Sequence, residues 1–466
     1  MPLKKYLPDI RFVILFFFLI RLFGITNPPL EKNQNWRQVT TNMYARNFLE
    51  VDNNILYARV DMAGDLTGIT AKEFPFFNYL IYLTADVFGW QHWYGRLISL
   101  IVSSIGVYFF YRIINDFISE KLSYSAAIIL SVSIWFGHAR IIMPDTFSVS
   151  LVIAGLYFAL RYFEKGKIWR LLLFFVLATL GALCKLPSGF LLSVLIIPLF
   201  QHKYPLNRKI NIVIAGIPLL GVCGWWYFSW LPYLVDTYGF EHYEMRSMAV
   251  GAKELFSDLA ETFERFYMSA LKGYVAFGLY AVGVILMFIK KEKKILTPFV
   301  FLSFFFFLYM CKAGETFYVH NYYIIPFAPV MALVAAYALS IVPKPMWRNI
   351  LMLAIIIESV ANQQDAFRIN PKELHKLELE NIADQFIKKD ELIAINTPVG
   401  NPQELYFTHR KGWLLNNEEI TDVAKMEEIK SKGCRYLIIS KKYWNEAAIN
   451  EKTLFENDHY ILFSLE

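Results

Sequence analysis

Asn35-Trp36-Arg37-Gln38 and Lys72-Glu73-Phe74-Pro75-Phe76-Phe77 mark a polar stretch, residues 27–95, between the first apolar run of the chain and the next long one. The flanking runs, 11–26 and 96–114, each approach the length needed to cross hydrocarbon at ~1.5 Å per residue. The stretch between them is too polar for lipid yet dense in aromatic side chains. A transporter usually joins its first two spans by a short turn. A long, structured first loop points instead to a reaction site at the membrane surface.

Working outward, the rest of the chain reads as membrane protein. It is 56% hydrophobic, 17% aromatic and 18% charged, where a soluble domain carries about 25% charged residues. Candidate spans are 11–26, 96–114, 122–138, 146–163, 168–186, 189–201, 210–231, 273–289, 296–311, 323–342 and 348–361, of which 189–201 is the shortest. The first run leads into Asn27-Pro28-Pro29 without a small-residue cleavage site, so it reads as a retained anchor.

Basic residues set the expected orientation, because Lys and Arg in short loops stay cytoplasmic. Lys4 and Lys5 precede the first span, and every even-numbered loop is basic: Arg112 to Lys121, Lys165 to Arg170, Lys203 to Lys209, Lys290 to Lys294, and Lys344 to Arg348. Eleven spans with the N-terminus inside put the C-terminus outside. Topology thus accounts for the net charge of +6, and the chain shows no basic face on a soluble domain of the kind that binds nucleic acid. Cys184, Cys223, Cys311 and Cys434 show neither metal-ligand spacing nor a disulfide framework.

From about Asn362 the composition becomes charged and mixed. Segments 391–396 and 435–440 read as short buried strands, 371–389 and 423–432 as helices, with Gly433 as a helix stop. Alternation of this kind predicts a small α/β domain. The expected organisation is therefore an all-α polytopic membrane domain over 1–361, including the first loop 27–95, followed by an extracytoplasmic α/β domain over 362–466.

With that topology drawn, several polar groups gather on the outer side. The first loop offers Glu31, Arg37, Asp61, Asp65 and Glu73. Later spans end near His138, Arg140, Asp145, Lys185, Lys312, Glu315, His320, Tyr322 and Tyr323. Charges near bilayer depth normally face a cavity or each other. Cations beside carboxylates suit a reaction that releases an anionic phosphate and takes a proton from a hydroxyl. Plainer readings stand beside these. Lys185 and Arg21 could snorkel to the interface, Asp145 could cap a helix starting at Thr146, His320 could be a hydrogen-bonded structural residue, and Trp36, Trp90 and Trp93 could be interfacial aromatics. Glu73, between apolar stretches and just before Pro75, is harder to assign a structural role.

On these residues the chain resembles the GT-C class of polyprenyl-phosphate-sugar-dependent membrane glycosyltransferases. It is similar to the family 39 group of protein O-mannosyltransferases and the bacterial aminoarabinose transferase of lipid A. The matching features begin with a long first loop ending in Glu73-Phe74-Pro75, then Gly95-Arg96 at the start of the second span. Met143-Pro144-Asp145 and Lys185-Leu186-Pro187 follow, then His320-Asn321-Tyr322-Tyr323-Ile324-Ile325-Pro326 with Pro329. In the tail, Tyr406-Phe407-Thr408-His409-Arg410-Lys411-Gly412-Trp413 and Gly433-Cys434-Arg435-Tyr436-Leu437 complete the pattern. Each motif alone is weak; their order and topology together are specific.

The resemblance implies an inner-membrane enzyme that moves a sugar, with inversion, from a polyprenyl-phosphate donor to a cell-envelope acceptor on the outer face. It implies Glu73 as general base, with Asp61 and Asp65 as the other first-loop carboxylates to weigh. It implies Arg37, Arg140, Asp145, Lys185, His320, Tyr322 and Tyr323 as contacts for donor phosphate or sugar. No metal ligand set is expected, although a divalent metal stays open. One departure stands out. Such enzymes usually carry an acidic residue, often an Asp-Glu pair, soon after the first span, whereas Asn35-Trp36-Arg37-Gln38-Val39-Thr40 stands here, with Glu31 the only nearby carboxylate. Two other classes remain: a polytopic transporter, which should show paired broken helices near mid-membrane, and a non-catalytic envelope assembly protein, which would tolerate loss of Glu73.

Overall fold

In the computed structural model, residues 9–465 are described, apart from 33, 71, 242–246, 398 and 445–448; Lys4 and Lys5 of the topology argument lie outside the described residues. In chain order the first helices are α1 (Ile10–Arg21), α2 (Asn35–Glu50), α3 (Phe76–Phe88), α4 (Tyr94–Ile113), α5 (Glu120–Val132), α6 (Trp135–His138), α7 (Pro144–Lys165) and α8 (Ile168–Cys184). The chain divides into two compact units. One comprises 1–25, 95–228 and 244–367; the other comprises 26–94, 229–243 and 368–466.

The first unit is helical and carries the apolar runs. Among the described residues, five helices are long and apolar enough to cross a membrane: Tyr94–Ile118, Pro144–Lys165, Leu206–Tyr238, Lys293–Ala313 and Asn321–Ile341. A bent pair, Leu259–Ala270 with Tyr274–Ile289, raises this to six if it counts as one span. The other expected spans fall on shorter helices, including α1, α5, α8 and Leu186–Phe200. This unit is integral to the membrane by composition, with five or six long spans where eleven were expected.

Small residues let its helices approach closely, as in membrane bundles generally. A Cβ on Gly155 of α7 would meet the backbone nitrogen of Ala178 on α8 at 2.9 Å, and one on Gly181 would meet Ser148 O at 2.9 Å. Ser148 Oγ takes advantage of the approach and donates to Gly181 O at 2.7 Å. The result seats the end of α8 against the start of α7.

The bent pair turns by 108° at Leu271–Gly273, where Lys272 holds a left-handed φ of 57°. Three hydrogen bonds pin the turn: Ile134 N to Ala270 O, Ser359 Oγ to Leu271 O, and Asn362 Nδ2 to Lys272 O, each at 2.9 Å. The next helix begins under a carboxylate. Glu358 accepts from Tyr274 N at 2.9 Å and Val275 N at 3.0 Å, which satisfies orphan donors at a helix N-terminus and complements its dipole. Arg21, near the end of α1, does not snorkel. It is buried, donates to Ser131 O, and lies 5.1 Å above the Phe136 ring.

The second unit holds a five-stranded sheet in the order β2-β1-β3-β5-β4, with β1 (Leu392–Asn396), β2 (Gly412–Leu415), β3 (Cys434–Ser440), β4 (Lys452–Glu456) and β5 (Tyr460–Ser464). β1 runs parallel to β2 and β3, and β5 is antiparallel to both β3 and β4. The near-continuous apolar β1 and β3 are the buried centre expected of parallel strands. The helix over 423–431 does stop before Gly433, which has φ 95°.

The first loop packs with the tail rather than with the residue 1–361 region where it was expected. Leu30, Val39 and Met43 enter the same core as Leu379, Ile393 and Ile438. The loop also extends the free edge of β2: Gly412 N donates to Asp61 O and Gly64 N to Gly412 O, both at 2.9 Å. Gly64 has φ 58°, and a Cβ there would meet Trp413 Nε1 at 2.3 Å. Only glycine fits both the conformation and the contact.

Candidate functional site

The expected site residues fall into two groups, one in each unit. In the second unit α2 brings Arg37 to Glu73. Arg37 Nη2 lies 2.6 and 2.7 Å from the two Glu73 oxygens, and the side chains are only 12% and 16% exposed. Thr41 Oγ1 returns to Arg37 O at 2.8 Å and Asn78 Nδ2, from α3, donates to Thr41 O at 2.8 Å. The pair is thus held between α2 and the turn into α3. Arg37 was expected to meet phosphate; here it holds the candidate base. Glu31 is buried and accepts from Gln38 Nε2 at 3.0 Å.

Asp61 has different surroundings. It pairs with buried Arg46 at 2.8 Å, and Asn47 Nδ2 donates to its other oxygen at 2.7 Å. Arg46 also donates to Tyr406 O at 3.1 Å and lies 4.6 Å over the Tyr406 ring. Burial pulls the Arg46 pKa down, but Asp61 and Tyr406 outweigh it, and the net direction is upward. Asp61 therefore ties the first loop to the tail. Asp65 is exposed, and among the first-loop carboxylates only Glu73 combines partial burial with a position at the start of an apolar helix.

In the first unit Asp145 stands in the first turn of α7, where a carboxylate complements the helix dipole. The helix begins at Pro144, and no side chain caps it, so the capping role considered for Asp145 is not the one it takes. Lys185, just past α8, reaches Asp145 at 3.7 Å and lies 5.8 and 5.5 Å from the Tyr322 and Tyr323 rings. His320 stacks at 5.2 Å on Tyr322 and 5.8 Å on Tyr323. The Lys185 side chain is 12% exposed, and its ammonium is held among a carboxylate and two aromatic faces, where a cation–π contact strengthens on desolvation. Arg140 is buried, 4.2 Å above the Phe367 ring, with Nη1 donating to Ala366 O at 3.3 Å.

Sequence reading missed Arg46, and it missed Tyr309, which stacks on Tyr323 at 6.2 Å. Tyr309 lies within a phenylalanine-rich span, where nothing distinguishes it from packing. Among the described residues no group of three or more His, Cys, Asp or Glu side chains is placed to hold a metal ion.

Residues 72–228 match the family described as dolichyl-phosphate-mannose-protein mannosyltransferase. Among solved structures, ArnT from Cupriavidus metallidurans in the apo state superposes with a TM-score of 0.68 at 10% identity, covering 97% of each chain. The chain shares the fold of this structure. The same ArnT bound to undecaprenyl phosphate gives 0.63 over 97% of each chain at 10% identity. A larger structure of similar fold is the oligosaccharyltransferase AglB from Archaeoglobus fulgidus, in complex with an inhibitory peptide and a dolichol-phosphate. It gives 0.55 at 12% identity, over 95% of this chain and 70% of that one. No curated protein sequence matches the chain.

Proposed function

We propose that this chain is an inverting membrane glycosyltransferase that moves a sugar from a polyprenyl-phosphate carrier to a cell-envelope acceptor on the outer face. The family match beginning at Lys72-Glu73, and a fold relative bound to undecaprenyl phosphate, support the donor class. The observation that carries the reading is the Arg37–Glu73 pair: a carboxylate oriented by a guanidinium and partly withdrawn from water, at the start of the matched segment.

In this reading Glu73 takes the proton of the acceptor hydroxyl as its oxygen attacks the anomeric carbon. The bond from that carbon to the phosphate oxygen breaks, and the polyprenyl phosphate leaves with the electron pair. General-base help is worth ~10²–10⁴-fold. Lys185 and Arg140 stabilise the charge gathering on the leaving phosphate, and preorganised donors of this kind commonly supply the largest share of catalysis. Tyr322, Tyr323 and His320 line the approach to Lys185, while Asp145 holds the ammonium in place before the donor arrives.

The N-terminus is cytoplasmic and the tail is outside, as the basic loops require. A transporter would show paired broken helices; the described residues contain one bent pair. Purified protein incubated with a polyprenyl-phosphate sugar and envelope extract tests the function. Sugar transfer that depends on the lipid-linked donor supports it; donor left intact under conditions where the protein is folded and lipid-embedded overturns it.

A further inference from the structure

Lys185 sits at a break between two helical segments. α8 ends at Cys184, a 3-10 segment runs from Leu186 to Leu195, and Lys185 between them is extended, with φ −160° and ψ 97°. The direction in which its side chain leaves is therefore set by how that break is held. Its backbone nitrogen donates to Gly181 O at 3.2 Å, and its carbonyl accepts from Ser188 N at 2.9 Å.

Two hydroxyls close on the same break. Ser148 and Ser188 are fully buried, and their Oγ atoms lie 2.8 Å apart. Ser148 Oγ reaches Gly181 O at 2.7 Å, and Ser188 Oγ reaches Lys185 O at 2.8 Å. A hydroxyl has one proton to donate, so two protons serve these three contacts and the pair acts as a unit. Ser148 also stands three residues after Asp145 on α7, a spacing that puts both on one helix face. That face takes hold of Lys185 twice. Asp145 meets the ammonium at 3.7 Å, and Ser148, through Ser188, meets the carbonyl.

Joining the helices does not by itself call for the pair. Hydrogen bonds between membrane helices add only modestly to stability, and α7 and α8 already interlock at Gly155 and Gly181. What the hydroxyls add is register at one residue. We infer that Ser148 and Ser188 are positioning residues for Lys185: they fix the break from which its side chain leaves, and so hold the ammonium by the Tyr322 and Tyr323 rings. This placement belongs to the helical unit alone. Its consequence for donor use rests on the reading of Lys185 as a phosphate contact.

Nuclear magnetic resonance tests the placement without any reaction. The full chain is produced with lysine isotopically labelled at Cε and placed in nanodiscs. Lys185→Arg identifies the resonance of residue 185, which the two tyrosine rings displace from the position of exposed lysines. Most of that displacement should disappear in Ser148→Ala and in Ser188→Ala. The double variant should go no further than the larger single effect, because coupled groups are not additive. Ser150→Ala is the control: Ser150 is equally buried on the same helix and donates to Thr146 O at 2.6 Å, and its loss should leave the resonance in place. Donor titrations of the two serine variants should show KM for the lipid-linked donor raised several-fold. A resonance at its wild-type position in both serine variants overturns the inference, whatever the kinetics show. Equal loss of displacement in Ser150→Ala also overturns it, because general loosening of α7 would then be the cause. A moved resonance with unchanged donor kinetics upholds the positioning and overturns the phosphate role of Lys185.

Discussion

Arg37 Nη2 contacts both carboxylate oxygens of Glu73, at 2.6 and 2.7 Å, across 36 residues of sequence. One guanidinium nitrogen bridging the two oxygens holds the carboxylate beside Arg37 by charge-assisted hydrogen bonds. Glu73→Gln keeps the size of the side chain but removes its basic site. Turnover should fall by ~10²-fold or more, while expression and donor binding stay near wild type. Glu31→Gln and Asp65→Asn serve as comparisons; if either is inactive while Glu73→Gln turns over normally, the base lies elsewhere in the loop.

Arg37→Lys keeps a charge but loses the planar guanidinium. Misplacing a catalytic group by about 1 Å can cost 10²-fold, so kcat should fall well below wild type with little change in melting temperature. An unaltered kcat would remove Arg37 from the positioning of Glu73.

Asp61 should behave as a structural residue. Its partner Arg46 is 4% exposed at the side chain, and Asp61 itself 12%. Asp61→Asn leaves a buried guanidinium without its counter-charge, a change that costs about 3–5 kcal/mol in comparable pairs. Thermal unfolding should shift downward markedly, and activity measured well below the new midpoint should survive. Unchanged stability with lost turnover would move Asp61 into the chemistry.

Lys185→Met should weaken use of the lipid-linked donor while the protein inserts normally. The ammonium sits 3.7 Å from Asp145 and near two tyrosine rings, where an arriving phosphate would form charge-assisted hydrogen bonds. Donor titrations of Lys185→Met and Arg140→Gln decide this. Wild-type donor kinetics in both variants would leave the two cations with structural roles alone.

His409 predicts a pH dependence of stability. Its Nδ1 is 2.6 Å from Glu380 and its Nε2 2.8 Å from Glu50, so the ring meets a carboxylate on each side and suits the doubly protonated cation. Lys389 Nζ lies 3.4 Å from Nδ1, and Arg46 adds a further opposing charge. Burial draws the His409 pKa down, but the bonds to Glu380 and Glu50 dominate and raise it overall. A raised folded-state value means the contribution is fully present below about 6.5, the unfolded value, and fades as pH climbs through the folded one. The melting temperatures of wild type and His409→Gln should therefore differ most at mildly acid pH and converge in alkali. The hydrogen bond from His409 holds the Glu380 carboxyl at about 2, so this carboxylate stays charged throughout that range. A gap that stays constant with pH would show that His409 acts by packing only.

The apolar runs and the strands at 392–396 and 434–440 were readable from residue order, because hydrophobic periodicity and turn residues are local properties. Helix lengths were not, since breaks such as that at Lys185, between Ile168–Cys184 and Leu186–Phe200, leave several of the expected runs on short helices. Composition also said nothing of the partners. Arg37 could have met a phosphate, a lipid or a carboxylate; packing α2 beside α3 chose Glu73. Asp61 and Glu73 are equivalent as isolated carboxylates, and only the fold gave one a buried arginine and a backbone bond to Gly412, and the other a place at the head of an apolar helix. The first loop joined the tail's sheet edge because an exposed strand edge is satisfied by whichever segment can reach it. That reach depends on the closure of a chain some 350 residues long, and no local pattern encodes it.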